Sequence, residues 1–101
     1  MTEFCPLFSG SSGNACYIKY KDTGLLIDAG VSGKRIEQAL NNIDADAKKI
    51  KAILVTHEHS DHTSSVGVLS RRYKIPVFAT KGTFDGMNVG NLSKATVIKS
   101  G

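Results

Sequence analysis

The side chains best suited to chemistry are concentrated in the stretch "VTHEHSDH", Val55 to His62. It contains all three histidines of the 101-residue chain, together with one glutamate and one aspartate. Side chains of an extended segment alternate between its two sides, so we expect His57, His59 and Asp61 to point the same way. This geometry lets two imidazoles share one metal ion, while Asp61 and His62 reach a second ion nearby.

Such a ligand set indicates hydrolysis with metal ions. Neutral imidazole and carboxylate suit zinc, manganese or iron, and the lack of a thiolate argues against a structural zinc ribbon. Two ions about 3.5–4 Å apart can hold both the attacking and the leaving oxygen of a displacement, and they give a bound hydroxide at ordinary pH. A site for one metal and purely structural histidines are the alternatives, which the density of the cluster disfavours. Glu58 points away on the same alternation and is expected to be structural.

The elements that must position this stretch predict an α/β or α+β layered fold. The segments "EFCPLF", "CYIKYK" and "LLIDAG" are typical of three strands in a β-meander, with Pro6 at an edge or a bulge and "DTG" as a turn. A helix capped by Ser32 follows, with Ile36, Leu40 and Ile43 at helical spacing.

The second half of the chain alternates strands and helices. The strand "AILV" precedes the histidines, and a helix with Val66, Leu69 and Tyr73 on its apolar side follows them. The strand "PVFAT", a short helix or loop at "KGTFDGM" and a last strand "ATVI" complete the pattern. A chain of this length supports one core, so we predict a single domain.

The composition indicates a water-soluble protein with a mild basic excess. The formal net charge of +4 favours anionic partners such as phosphates or nucleic acids. Cys5 and Cys16 are too few for a disulfide scaffold and are expected to be reduced core residues. The chain begins without a signal-peptide pattern and has no run as long as a membrane span, so we expect a cytoplasmic location and no membrane partner.

Two motifs together resemble a known family. "THEHSDH" resembles the H-x-H-x-D-H signature of the metallo-β-lactamase fold, and "LLIDAG" resembles the family's earlier strand that ends on an aspartate. More narrowly, "FSGSSGNACYI", "ILVTHEHSDHTSSVGVLSRRYKIPVFAT" and "KGTFDGM" are similar to the bacterial YycJ/WalJ-like subgroup, akin to phosphodiesterases of the PhnP type. The resemblance implies a four-layer αββα sandwich, of which residues 1–101 would be mainly the N-terminal half of a single domain.

The resemblance also implies a role for each residue of the motifs. His57 and His59 would bind the first metal ion, and Asp61 and His62 the second. Asp61 would be catalytic as well, because it would accept a hydrogen bond from the bridging hydroxide and orient it. Asp28 would support the ligands from behind, and such carboxylates fix the orientation and basicity of metal-bound groups.

The loop "GSSG" between the first two strands is a further candidate. It lacks the Gly-Lys-Ser/Thr of a nucleotide-binding loop and the flanking helices of a KH clamp, so a flexible turn is the simplest interpretation. The family resemblance places it near the metal ions, where Ser11, Ser12 or Asn14 would contact a substrate phosphate. A basic surface that includes "RRYK" is better interpreted as a solvated helix face.

The function that these features predict is hydrolysis of phosphodiesters, as in a nuclease. Hydrolysis of a thioester, lactone or lactam by the same kind of site is the alternative, and a non-catalytic scaffold is another. Members of the family are longer and supply a third histidine, a bridging aspartate and a last histidine from later positions. We therefore expect a fragment, or a chain completed by a partner, with weak metal binding and no appreciable turnover by itself.

Overall fold

The fold is one mixed sheet with helices on one face. The computed structural model describes residues 2–10, 13–57, 63–87, 90, 92 and 94–98. The strands are β1 (Thr2–Phe8), β2 (Ala15–Tyr20), β3 (Thr23–Ile27), β4 (Ile50–Leu54), β5 (Pro76–Ala79) and β6 (Lys94–Val97). The helices are α1 (Gly33–Asn42), α2 (Val66–Tyr73) and α3 (Lys81–Gly86), with a 3-10 turn at Ala47–Lys49. The strands pair in chain order, and this order confirms the predicted mixture of α and β layers.

Strands β1, β2 and β3 form the predicted antiparallel meander. β1 lies at the edge of the sheet, and its register with β2 shifts between Pro6 and Phe8, which confirms the predicted bulge. The turn before β3 is shorter than "DTG" predicted, because Thr23 and Gly24 already belong to the strand. A Cβ at Gly24 would lie 2.8 Å from the Tyr17 ring, so the glycine makes room for that ring rather than for a turn.

Strands β3 to β6 are parallel, and a helix lies between each successive pair. Ser32 caps α1 as predicted, because its side chain accepts a hydrogen bond from the Arg35 N–H. Ile36 and Leu40 are buried, but Ile43 is 39% exposed, contrary to the helical stripe. The chain turns just after α1, where Asp44 adopts a left-handed conformation, and the side chain of Ala45 packs on the core instead.

Helix α2 follows its predicted pattern. Val66 and Leu69 are buried, and the half-buried Tyr73 donates its hydroxyl to Glu37 Oε2 of α1 at 2.8 Å. Arg72 forms an ion pair with the same carboxylate. Burial and the bond to Glu37 raise the pKa of the Tyr73 hydroxyl. These contacts tie α1 to α2 at the surface of the helical layer.

The strand register divides the sheet into two apolar faces. Tyr17, Leu26, Ile53 and Val77 lie side by side on one face, and they form the core with the buried residues of α1 and α2. We call this the helix face.

The opposite face, here called the open face, is also apolar. Register places on it the residues Phe4, Ile18, Leu25, Ala52, Pro6, Cys16, Ile27, Leu54 and Phe78. Most of them are half-buried or exposed, and within the described part of the chain none belongs to the core cluster. A second apolar face of this extent is typical of a sheet packed on both sides.

Among the helices that the structure describes, none is long and apolar enough to cross a lipid bilayer.

Candidate metal centre

The candidate site lies at the edge of the sheet where the parallel strands end. Asp28 follows β3, and Thr56 and His57 follow β4, its parallel neighbour. The loop between β1 and β2 reaches the same edge, because β2 runs antiparallel to β3 and Cys16 pairs with Ile27. In open α/β sheets, ligands bind in the crevice at this carboxyl edge.

Asp28 is buried, with 5% of its surface exposed, and its backbone is in the left-handed region at φ 63°. Its own N–H donates to the Leu54 carbonyl at 2.7 Å. Its carboxylate accepts two bonds from Thr56, one from the backbone N–H at 2.7 Å and one from the hydroxyl at 2.6 Å. A buried carboxylate needs such donors, and a strained backbone held by them is common at functional sites. Asp28 therefore fixes the position at which the chain leaves β4.

His57 is exposed, and its ring is held from behind by Thr56. The Nδ1 atom of His57 lies 2.9 Å from the Thr56 hydroxyl oxygen. The carboxylate of Asp28, the hydroxyl of Thr56 and the imidazole of His57 thus form a continuous chain of hydrogen bonds. The structure joins two of the predicted site residues, Asp28 and His57, through a third residue that the motif did not single out.

Both flanks of residues 58–62 are tied to the same turn. On the N-terminal side Thr56 is bonded to Asp28, and on the C-terminal side the N–H and the hydroxyl of Ser65 both donate to the carbonyl of Ala29. The three predicted ligands His59, Asp61 and His62 fall within this segment and lie outside the described residues, as does Glu58. Thr56 and Ser65 are thus bonded to adjacent residues, Asp28 and Ala29.

The loop between β1 and β2 is closed by Asn14. The Asn14 side chain accepts from the Gly10 N–H at 3.2 Å and donates to the Gly10 carbonyl at 3.0 Å. The Asn14 carbonyl accepts from the Gly30 N–H at 2.8 Å, and Gly13 packs directly against Gly30 and Val31. The loop is therefore docked against the turn that carries Asp28. Ser11 and Ser12, the other predicted substrate contacts, lie outside the described residues.

A groove of about 260 Å³ opens beside Asp28 on the open face. Its lining includes Phe4 and Phe8, together with Pro6 and Cys16. Burial, with smaller effects from Cys5 and Asp28, raises the pKa of the Cys16 thiol. Cys16 therefore lines the groove as a neutral thiol.

The donor chemistry at this edge fits divalent ions. Among the residues that the structure describes, no three His, Cys, Asp or Glu side chains meet at one point. The predicted set combines imidazoles with carboxylates and contains no thiolate, a combination that zinc, manganese and non-haem iron all accept. The hydrogen-bonded arrangement of Asp28 behind His57 is the support that a ligating histidine requires.

Comparison with known proteins identifies the family. Residues 9–88 match the model of the Metallo-beta-lactamase superfamily. The chain is 43% identical over 92 residues to exodeoxyribonuclease YycJ of Bacillus anthracis, covering 89% of this chain and 35% of that protein. It is 47% identical over 85 residues to exodeoxyribonuclease WalJ of Streptococcus pneumoniae, covering 84% of this chain and 32% of that protein. The chain thus spans about a third of the length of these relatives.

The solved structures agree with this assignment. A subclass B3 metallo-β-lactamase with an active-site glutamic acid superposes with a TM-score of 0.80 at 22% identity, over 95% of this chain and 42% of that one. The predicted fold and the resemblance to the YycJ/WalJ-like subgroup are both confirmed. The chain belongs to the metallo-β-lactamase superfamily.

Proposed function

We propose that this chain is part of a metal-dependent hydrolase that cleaves phosphodiester bonds of DNA, as an exodeoxyribonuclease. The observation that carries the proposal is the continuous chain of hydrogen bonds through Asp28, Thr56 and His57. It lies at the carboxyl edge of the sheet, where the H-x-H-x-D-H motif begins. The names of the two relatives described above, both exodeoxyribonucleases, support DNA as the substrate class. The net charge of +4 favours the same polyanionic partner.

Two divalent ions, with zinc the first choice and manganese or iron the alternatives, would supply a nucleophilic water near neutral pH and neutralise charge on the reacting phosphate. His57 and His59 would hold the first ion, and Asp61 and His62 the second. Asp61 would also accept a hydrogen bond from the attacking water and orient that water towards phosphorus. The rigid placement of His57 by Asp28 and Thr56 would keep the ligand ready before the ion binds.

The loop at residues 9–14 would contact the substrate phosphate. It lies at the same sheet edge, and Asn14 keeps it closed on Gly10. Backbone N–H groups and the hydroxyls of Ser11 and Ser12 are donors of the kind that bind phosphate oxygens. In this proposal Asn14 shapes the loop, and Ser11 and Ser12 would supply the contacts with the substrate phosphate. The protein would work in the cytoplasm, together with its DNA substrate.

We also propose that residues 1–101 are the N-terminal portion of a single domain and that a second sheet covers the open face. The row of apolar side chains that includes Ile18, Leu25 and Ile27 supports this arrangement, because it has the composition of a sandwich interior. In a protein of the relatives' length, Ile27→Ser should then cost about 2–4 kcal/mol of unfolding free energy. In the 101-residue chain the same change should cost less than about 1 kcal/mol. Equal small effects in both proteins would contradict the covered face.

Hydrolysis assays on the protein of full length test the proposed activity. End-labelled DNA, a generic phosphodiester and a thioester are the substrates, and the variants are His57→Ala and Asp61→Ala. Asp85→Ala is the matched control, since this exposed carboxylate pairs with Lys81 on α3. We expect release of nucleotides from DNA by the wild type and by the control, with a loss of at least about a hundredfold in the two site variants. Turnover of the thioester alone would contradict a phosphodiester substrate and indicate a carbonyl substrate. No turnover of any substrate would favour a non-catalytic scaffold.

A further inference from the structure

We propose that Thr56 is a positioning residue that selects the tautomer of His57, with the proton on Nδ1 and the lone pair on Nε2. The inference rests on the proposed function, in which His57 binds a metal ion. Thr56 would act without contacting the ion or the substrate. Its effect is transmitted through a single hydroxyl group placed between a carboxylate and an imidazole.

The direction of the first hydrogen bond follows from the carboxylate. An ionised carboxylate only accepts, so at 2.6 Å the Thr56 hydroxyl must donate its proton to Asp28 Oδ2. The Thr56 backbone N–H donates to the other oxygen, Oδ1, at 2.7 Å. Two bonds from one residue to both oxygens fix the carboxylate and the threonine relative to each other.

The direction of the second hydrogen bond follows from the first. A hydroxyl has one proton, and that of Thr56 is already directed to Asp28. Towards His57 Nδ1, at 2.9 Å, the hydroxyl oxygen can therefore only accept. The imidazole must carry a proton on Nδ1 to complete the bond, and a neutral ring protonated there has its lone pair on Nε2. This is the nitrogen that such a ring offers to a metal ion.

The opposite tautomer is disfavoured by the same geometry. With the proton on Nε2, the Nδ1 lone pair would face the lone pairs of the Thr56 oxygen, and one hydrogen bond would be lost. Loss of one such bond corresponds to roughly a two- to tenfold change in population. Asp28 anchors the arrangement, because it is buried in a left-handed conformation, and threonine has few side-chain rotamers.

Variants of the two supporting residues give opposite predictions. Thr56→Ser keeps the hydroxyl and should keep the Nδ1–H tautomer of His57. Thr56→Val keeps the shape but removes the hydroxyl, so the ring should populate both tautomers. Asp28→Asn should reverse the direction of the hydrogen bonds. The amide oxygen still accepts from the Thr56 N–H, so the NH₂ group must face the Thr56 hydroxyl. The hydroxyl then accepts from the amide and donates to Nδ1, which moves the imidazole proton to Nε2.

The first experiment reads the tautomer directly. Long-range ¹⁵N–¹H correlation spectra of the metal-free protein, labelled at histidine and held where the imidazole is neutral, assign each ring nitrogen as protonated or bare. We expect a protonated Nδ1 for His57 in the wild type and in Thr56→Ser, a mixture in Thr56→Val, and a protonated Nε2 in Asp28→Asn. Amide spectra of each variant verify that it is folded. A wild-type ring protonated on Nε2, or a folded Thr56→Val protein with an unchanged ring, would overturn the inference.

The second experiment separates this inference from the proposed function. Zinc affinity of the full-length protein, measured by competition with a chromophoric chelator, should fall at least about twofold in Thr56→Val, where only part of the population has the metal-binding tautomer, and return to the wild-type value in Thr56→Ser. If the spectra give the expected tautomers and no variant, nor the wild type, binds zinc, then the metal-dependent function fails while the role of Thr56 stands. If zinc binds and Thr56→Val binds it as tightly as the wild type, the positioning role fails while the function stands.

Discussion

A set of three glycine substitutions tests how the loop at residues 9–14 is held against the Asp28 turn. Gly13 has φ +147°, and a Cβ added there would lie 2.3 Å from Val31 Cγ1 and 2.7 Å from the Gly30 carbonyl oxygen. The second contact is with backbone, which cannot rotate away as a side chain can. Gly13→Ala therefore combines a strained backbone conformation with a steric clash in the packed turn.

The other two glycines separate these two effects. Gly10 also has positive φ, at +126°, but a Cβ there would have nothing within 4 Å, so Gly10→Ala introduces strain alone. Gly82, in α3, has neither problem, so Gly82→Ala should be neutral or stabilise the helix by up to about 1 kcal/mol. The three variants change the same atoms in three different surroundings.

The expected magnitudes follow from these surroundings. Strain alone costs about 1–2 kcal/mol at Gly10, and a clash in a packed region adds about 1–3 kcal/mol at Gly13. For a domain of this size, 1 kcal/mol corresponds to about 4–8 °C in Tm, so Gly13→Ala should melt at least about 10 °C below the wild type. Thermal unfolding followed by circular dichroism measures all three. Equal melting temperatures for the Gly10 and Gly13 variants would refute the close packing of the loop on Gly30 and Val31.

Three further predictions concern the core, the helix cap and the helix–helix contact. Ile53→Ala should lower the unfolding free energy by about 2–5 kcal/mol in urea titrations, because Ile53 is fully buried on the helix face. A cost below about 1 kcal/mol would contradict that burial. Ser32→Ala should cost about 1 kcal/mol by the same measurement through loss of the α1 cap, and no change would mean that the cap bond is not formed. Because folding raises the pKa of the Tyr73 hydroxyl, its bond to Glu37 stabilises the fold fully below the unfolded-state value of about 10, and this stability is lost as the pH rises through the folded value. Tyr73→Phe should therefore weaken the alkaline loss of stability, with the remainder due to Cys16 and Tyr17, whose pKa values burial also raises, and an unchanged pH profile would refute the contribution.

Local signals in the sequence predicted the elements well where a local physical cause decides them. Pro6 cannot donate to a sheet, and it lies at a bulge in the edge strand. Ser32 precedes apolar residues at helical spacing, and it caps α1. Ile43 continues the same helical spacing of apolar residues but is exposed. The helix ends at Asn42, and the chain turns at Asp44. Gly24 was interpreted as a turn residue, whereas contact with the Tyr17 ring, a tertiary cause, explains it.

The candidate site was predictable only in part for the same reason. The motif predicted His57 as a ligand, and the resemblance of "LLIDAG" to the family's earlier motif predicted Asp28 as its support. The role of Thr56 depends on the pairing of β3 with β4, which brings it to a carboxylate 28 residues earlier in the chain. A threonine before a histidine carries no such meaning in the sequence alone. One local clue existed, since Asp28 and Thr56 both lie within two residues of the ends of neighbouring parallel strands.

The most direct test of the central claim is a zinc titration of the metal-free protein of full length, with bound metal and hydrolysis of end-labelled DNA measured in the same samples. We predict that DNA hydrolysis is absent without metal, rises as two ions bind per molecule, and stays absent in Asp61→Ala at every zinc concentration. Full hydrolysis of DNA by the metal-free protein in the presence of excess chelator would contradict the account.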